Sequence, residues 1–130
     1  MAITYAIDSA LGVVFTKATG VLTDDDLVGH KQNLLRDPGF KPGMVELSDV
    51  RGVERLEVTP EGIRGFVTQD KADADRLRGF KLAIVASQDV VFGMARMYQM
   101  LTAENPLNVN VFRDMEKARV WLGLSHDIYW

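Results

Sequence analysis

The run of five apolar residues at positions 82–86, Leu-Ala-Ile-Val-Ala, limits the possible folds more than any other feature of the sequence. Phe80 stands two residues before this run, and the polar Ser87 follows it. An unbroken apolar run of this length is typical of a strand that is covered on both faces. Such coverage requires helices on both sides of a sheet. The sequence therefore predicts a central strand over residues 80–87 and an α/β fold.

The segments around this strand alternate between strand and helix patterns. β-Branched and aromatic residues predict two antiparallel strands over residues 3–8 and 13–19, joined by a turn. A third strand is predicted over residues 44–48, where the charged Glu46 indicates that one face reaches solvent and that the strand lies towards an edge. Alternating residues at 108–113 predict a fifth strand.

Helices are predicted where capping residues precede apolar residues at helical spacing. Thr23 and Asp26 can form a reciprocal capping box at the start of the first helix, which Pro38 ends after about fourteen residues. The second helix starts at Thr59, with Pro60 in its first turn. The third and fourth are expected to begin at the caps Asp89 and Asp114.

The order β-β-α-β-α-β-α-β-α favours one domain over residues 1–130, with a mixed, mostly parallel five-stranded sheet and about four helices. No stretch is long and apolar enough to predict membrane insertion, so a cytoplasmic protein is expected. The chain has no cysteine, which excludes disulfides and thiolate zinc sites. A net charge of -3 gives no reason to expect nucleic acid as a partner.

Several segments together resemble a known family. They are residues 20–23 before the first helix, 47–51 at the end of the third strand, 86–87, 93–97 in the third helix, and 111–114 with Ala118 and Trp121. Over nearly its whole length the chain resembles the bacterial anti-sigma-factor-antagonist-like proteins of the STAS superfamily, a largely uncharacterised branch. The resemblance implies a STAS-like fold and a regulatory role through protein interactions.

The resemblance raises the question of whether Thr59 is a phosphorylation switch. True antagonists carry a phosphorylatable Ser in an Asp-Ser-Ser-Gly-like turn at the start of the helix after the third strand. This chain has Leu-Glu-Val-Thr-Pro-Glu-Gly at residues 56–62, so Thr59 is the hydroxyl nearest the matching position and Pro60 follows it directly. The sequence favours a helix cap at Thr59 over a phosphorylation site.

The motifs of common enzyme classes are absent from the sequence, which has no dinucleotide fingerprint, P-loop, nucleophile elbow or His-Glu-x-x-His motif. A general-base role for His30 or His126 would require the fold to bring Asp49 or another carboxylate beside it. The three aspartates at 24–26 suit a helix N-terminus better than a metal site. We therefore predict no catalytic residues, no metal and no cofactor.

A small polar pocket is predicted at the carboxyl ends of the third and fourth strands, where open α/β sheets place their ligands. Asp49 and Arg51 follow one strand, and Ser87 and Gln88 follow the other. Alternatively, Asp49 and Arg51 form a local ion pair and Asp89 serves only as a cap.

The third helix offers a candidate contact patch. Phe92, Arg96, Gln99 and Met100 are spaced so that they lie on or near its outward side. Aromatic residues, Met and Arg are enriched in interface cores, so this patch predicts a homodimer. Alternatively, Phe92 packs under an adjoining loop and Met100 is a scattered surface residue.

These features favour a non-enzymatic interaction or regulatory domain that associates with itself and has a regulatory protein partner. The alternative is a carrier or sensor for a small lipid-like or anionic ligand, with an apolar lining from Phe66, Phe92 and Met94. An enzyme is the third alternative, and it depends on the histidines described above.

Overall fold

The computed structural model describes residues 2–105 and 107–125. The elements follow in the order β1 (Ile3–Asp8), β2 (Val13–Thr23), α1 (Asp24–Arg36), β3 (Val45–Glu57), α2 (Pro60–Ala72), α3 (Ala74–Leu77), β4 (Lys81–Val85), α4 (Asp89–Leu101), β5 (Asn108–Phe112) and α5 (Met115–Leu122). The predicted α/β class and the mostly parallel five-stranded sheet are confirmed. Within the described residues, no helix is long and apolar enough to cross a membrane.

The strands lie in the order β1-β2-β3-β4-β5, with β1 antiparallel to β2 and the other pairs parallel. β3 is therefore the middle strand, and the prediction that it lies towards an edge was wrong. It is also longer than predicted, because residues 49–52, which were expected to form a loop, belong to the strand, and pairing with β2 continues to Glu57. Backbone pairing along β2 outweighs the local turn preference of Asp49 to Gly52.

The helix starts follow the capping pattern with one exception. The capping box of Thr23 and Asp26 is confirmed, and the Thr59 hydroxyl accepts a hydrogen bond from the backbone N–H of Gly62. Asp89 is not the cap of α4: Gln88 occupies that position. The Asp89 carboxylate instead accepts a hydrogen bond from Arg113 at 2.8 Å. The helix predicted after Thr59 is interrupted at Asp73, which separates α2 from the short α3.

β4 separates two apolar layers, as its unbroken apolar run predicts. Leu82 and Ile84 pack into the larger layer, beneath α1, α2 and α4. Ala83 and Val85 pack on the other face, against Ala118 and Leu122 of α5. The larger layer is not purely apolar, because Thr16, Lys31, Glu46, Asp70 and Tyr98 are buried beside it. These side chains mark the candidate site.

Candidate functional site

A cavity of about 100 Å³ lies between the sheet and the three helices α1, α2 and α4. Most of its wall is apolar and includes Ile63 and Phe66 from α2 and Met94 from α4. The residues that bring polar atoms to the wall are Thr16, His30, Lys31, Glu46, Ser48 and Tyr98. The cavity is partly open, and its volume is smaller than the roughly 150 Å³ of a dry cavity that accepts benzene in another protein, so a ligand must be small.

Glu46 reaches this cavity because side chains alternate along β3. Glu46 and Ser48 face the cavity, whereas Leu47 and Asp49 face α5. Glu46 is only 2% exposed, so the interpretation of its charge as a sign of solvent contact was wrong. The Thr16 hydroxyl donates a hydrogen bond to Oε2 of Glu46 at 2.6 Å, and Nε2 of His30 lies 3.0 Å from the same oxygen.

These contacts explain why a buried carboxyl group stays ionised. Burial raises the pKa of Glu46, but the charge and hydrogen bond of His30, the hydrogen bond from Thr16 and the charge of Lys31 lower it further. The resulting pKa lies below the ordinary value of 4.5. Glu46 is therefore a buried anion at neutral pH.

A second buried polar group joins the three helices that cover the cavity. Nζ of Lys31 on α1 lies 2.8 Å from Oδ1 of Asp70 on α2, and the Tyr98 hydroxyl on α4 donates to Oδ2 of Asp70. Lys31 is 1% exposed and Asp70 is fully buried. The Lys31 ammonium also lies 4.7 Å from the centroid of the Phe66 ring. Burial, the charge and hydrogen bond of Asp70, and the charge of Glu46 raise the pKa of Tyr98, which therefore keeps its proton.

His30 lies at the boundary between the cavity and the outside. It also lines a surface groove between α1 and β1, together with Tyr5, Asp25 and Asn33. Its ring meets that of Tyr5 edge-on, with 5.6 Å between the centroids. His30 and Ile3 therefore line both the cavity and the groove.

The four residues predicted to form a pocket at the strand ends have other partners. Nη2 and Nε of Arg51 each lie 2.9 Å from a carboxylate oxygen of Asp49, which is the predicted alternative of a local ion pair. Burial raises the pKa of Asp49, but Arg51 lowers it below its ordinary value. Gln88 donates to the backbone carbonyl of Val53, and the carbonyl of Ser87 accepts from Arg113. In the part of the chain that the structure describes, no hydrogen bond joins the first pair of residues to the second.

The predicted patch on α4 divides into two parts. Phe92 is half-buried beneath the Arg113 guanidinium, which lies 4.2 Å from its ring centroid, and Gln99 donates to the side chain of Asn110. Arg96 is exposed, and Met100 is 64% exposed. Only Arg96 and Met100 of the four are therefore open to solvent.

Thr59 is hydrogen-bonded to Asp24, the first of the three aspartates of α1. The Thr59 hydroxyl donates to Oδ2 of Asp24 at 2.7 Å while it accepts from Gly62, and the Thr59 N–H donates to Oδ1 of Asp24. Asp26 belongs to the Thr23 capping box. The hydrogen bonds between Thr59 and Asp24 connect the start of α1 to the start of α2. His126 lies outside the described residues.

The buried residues Lys31 and Asp70 were missed by the sequence analysis, although the sequence carries a signal for both. Lys31 interrupts the apolar stripe of α1 between Leu27 and Leu34, and Asp70 interrupts that of α2 after Phe66. Opposite charges in the apolar stripes of two neighbouring helices indicate a buried ion pair.

No protein-family model matches the sequence, and no curated protein matches it. The structure is similar to the crystal structure of an uncharacterised protein of the DUF3478 family, with a SpoIIAA-like fold, from Shewanella loihica PV-4. The TM-score is 0.60 at 19% sequence identity, over 93% of this chain and 94% of that chain. The chain thus has a SpoIIAA-like fold, and the STAS-like fold implied by the sequence resemblance is confirmed.

Proposed function

We propose that this protein binds a small, largely apolar molecule in the cavity beneath α1, α2 and α4, and that it acts as a carrier or sensor. The observation that carries the proposal is the composition of the cavity wall, in which apolar side chains surround a few polar groups. Ligand sites usually have this composition, since apolar contact supplies affinity and the polar groups fix orientation. Phe66 and Met94, two of the three residues predicted to line such a site, lie in the wall.

An empty cavity leaves the side chains of its wall without packing partners on one side. A ligand that fills the space restores the missing contacts. The groove that shares His30 with the cavity is our proposed route of entry.

The arrangement of polar groups supports binding rather than catalysis. His30 does lie beside a carboxylate, as the enzyme alternative requires, but both His30 and the Thr16 hydroxyl contact the same oxygen of Glu46. In a nucleophilic triad the imidazole stands between the hydroxyl and the carboxylate and removes the hydroxyl proton. Thr16 is therefore not activated by His30, and the non-enzymatic role remains our proposal.

Self-association is the second candidate function, and one observation favours it. Val90, Met100 and Leu101 are large apolar side chains exposed on α4. Exposed apolar surface on one helix is a feature of interaction sites. A homodimer through α4, or a regulatory protein partner on the same surface, is compatible with a ligand in the cavity. The cytoplasmic location of the protein stays a prediction.

The binding proposal is tested by filling the cavity. Ala95 lines it from α4, so Ala95→Leu should raise the melting temperature of the protein alone and abolish the further rise that benzene causes in the wild type. Ala72→Leu on the exposed side of α2 is the matched control and should keep the response to benzene. If benzene raises the melting temperature of Ala95→Leu as much as that of the wild type, benzene does not bind in this cavity and the proposal fails.

A further inference from the structure

We propose that the ligand carries one uncharged hydroxyl group, held between Lys31 and Glu46, and that the cavity discriminates against carboxylates. This inference rests on the proposed function, because it concerns the ligand of the same cavity. An uncharged hydroxyl group excludes the anionic ligand, which was one of the two kinds of ligand expected from the sequence.

The charge balance at the cavity excludes an anion. Lys31 is paired with Asp70 and His30 with Glu46, and all four side chains are buried or nearly so. If His30 is neutral, these groups carry one net negative charge; if it is protonated, they carry none. In neither state does Lys31 or His30 lack an acidic partner. A bound carboxylate would share the cavity with the Glu46 carboxylate, while Lys31 already has Asp70 as its counter-ion, so the added charge is strongly unfavourable.

The hydrogen-bonding capacity left at the cavity fits a hydroxyl group. An ammonium group has three N–H donors. Among the described residues, Lys31 uses one donor on Asp70 and places its ammonium over the Phe66 ring. Thr16 and His30 both contact Oε2 of Glu46, and no described residue donates to Oε1. The cavity therefore offers a donor at Lys31 and an acceptor at Glu46, and a hydroxyl group can satisfy both.

The apolar wall limits the rest of the ligand. Ile63, Phe66 and Met94 offer no hydrogen bonds, so a second polar group placed against them would lose its water without replacement. The Tyr98 hydroxyl does not supply the missing donor, because its proton is held by Asp70. The ligand class that fits is a small apolar molecule with a single alcohol or phenol group.

The inference is tested with benzene, toluene, benzyl alcohol, benzoate and benzylamine, whose binding is measured by isothermal titration and by the shift in melting temperature. Benzyl alcohol should bind about tenfold or more tightly than toluene, because hydrogen bonds to charged groups add to the apolar contact. Benzoate should not bind detectably. Preferential binding of benzoate or benzylamine, or equal binding of toluene and benzyl alcohol, would overturn the inference while the proposed function stands. If none of the five binds, both fail.

Glu46→Gln isolates the role of the carboxylate, because it keeps the shape of the side chain and removes its charge. Affinity for benzyl alcohol should fall about tenfold, affinity for toluene should stay the same, and benzoate should gain affinity. Asp49→Asn makes the same chemical change on the opposite face of β3 and should alter none of the three. Unchanged discrimination in Glu46→Gln would contradict the assignment of Glu46. The wild-type comparison decides the ligand class even if this variant fails to fold.

Discussion

Nε2 of His30 lies 3.0 Å from Oε2 of Glu46, and this contact fastens α1 to the middle strand of the sheet at the inner side of the cavity. His30 faces the outer groove as well, whereas Glu46 is almost completely buried. The pair therefore belongs both to the contacts that hold the fold together and to the wall of the cavity.

Glu46 should make the stability of the protein depend on acid. Its pKa in the folded protein lies below the value of 4.5 expected when it is unfolded. The stabilisation is thus present above that value and is lost as the pH falls through the folded pKa. Urea unfolding from about pH 6 down to pH 3 should show this loss, and Glu46→Gln should show a shallower decline. Identical slopes in both proteins would show that Glu46 is not stabilised as an anion.

Asp49 supplies the internal control for this measurement. Arg51 lowers its pKa too, so Asp49→Asn should also reduce the acid sensitivity. Its carboxylate is partly open to solvent, however, and its ion pair is therefore weaker. The effect of Asp49→Asn should be smaller than that of Glu46→Gln.

Lys31→Met should destabilise the protein by about 3–5 kcal/mol, because it leaves Asp70 as a buried charge without its counter-ion. The double variant Lys31→Met/Asp70→Leu should recover part of this loss in a urea double-mutant cycle. Arg78→Met breaks an exposed ion pair with Asp75 and should cost less than about 1 kcal/mol. A loss in Lys31→Met no larger than in Arg78→Met would mean that the buried pair contributes nothing.

Thr59→Ala should cost about 1 kcal/mol through the loss of the cap on α2. Thr68→Ala, at an exposed position within the same helix, should be nearly neutral and serves as the control. Thermal and denaturant melts measure both. If Thr59→Ala left stability unchanged while Thr59→Glu altered the binding of a protein partner, a phosphoswitch would replace the structural role.

The self-association candidate predicts a dimer that depends on Arg96 and Met100, the two open residues of the α4 patch. Arg96→Glu/Met100→Glu should give a folded monomer in sedimentation equilibrium, because a two-fold contact contains each substitution twice. Val120→Glu on the exposed face of α5 should leave the dimer intact. A monomeric wild type, or a dimeric double variant, would exclude this interface.

The fold was predictable because the sequence patterns that specify its strands and helices each lie within a short segment of the chain. The apolar run in β4 and the caps at Thr23 and Thr59 depend on residues close together in sequence. The full length of β3 was not predictable in this way, because its second half is held by pairing with β2 rather than by its own sequence preferences.

The site was harder to predict because its partners are far apart in the sequence. Glu46 is charged, which is typical of a strand residue that faces solvent. Its burial is possible only because the fold places Thr16 and His30 beside it. Lys31 and Asp70 show the same dependence, since each is acceptable in an apolar stripe only opposite the other. Phe66 and Met94 were predicted as apolar lining because apolar character alone suffices for that role.

The most direct test of a ligand site in this cavity is the position of bound benzyl alcohol in solution, measured by intermolecular nuclear Overhauser effects. We expect contacts from the ring protons to the methyl groups of Ile63 and Met94, with saturable titration of both signals. Contacts confined to exposed methyl groups such as those of Met100 or Val120, with Ile63 and Met94 unaffected, would show that the cavity does not bind the ligand.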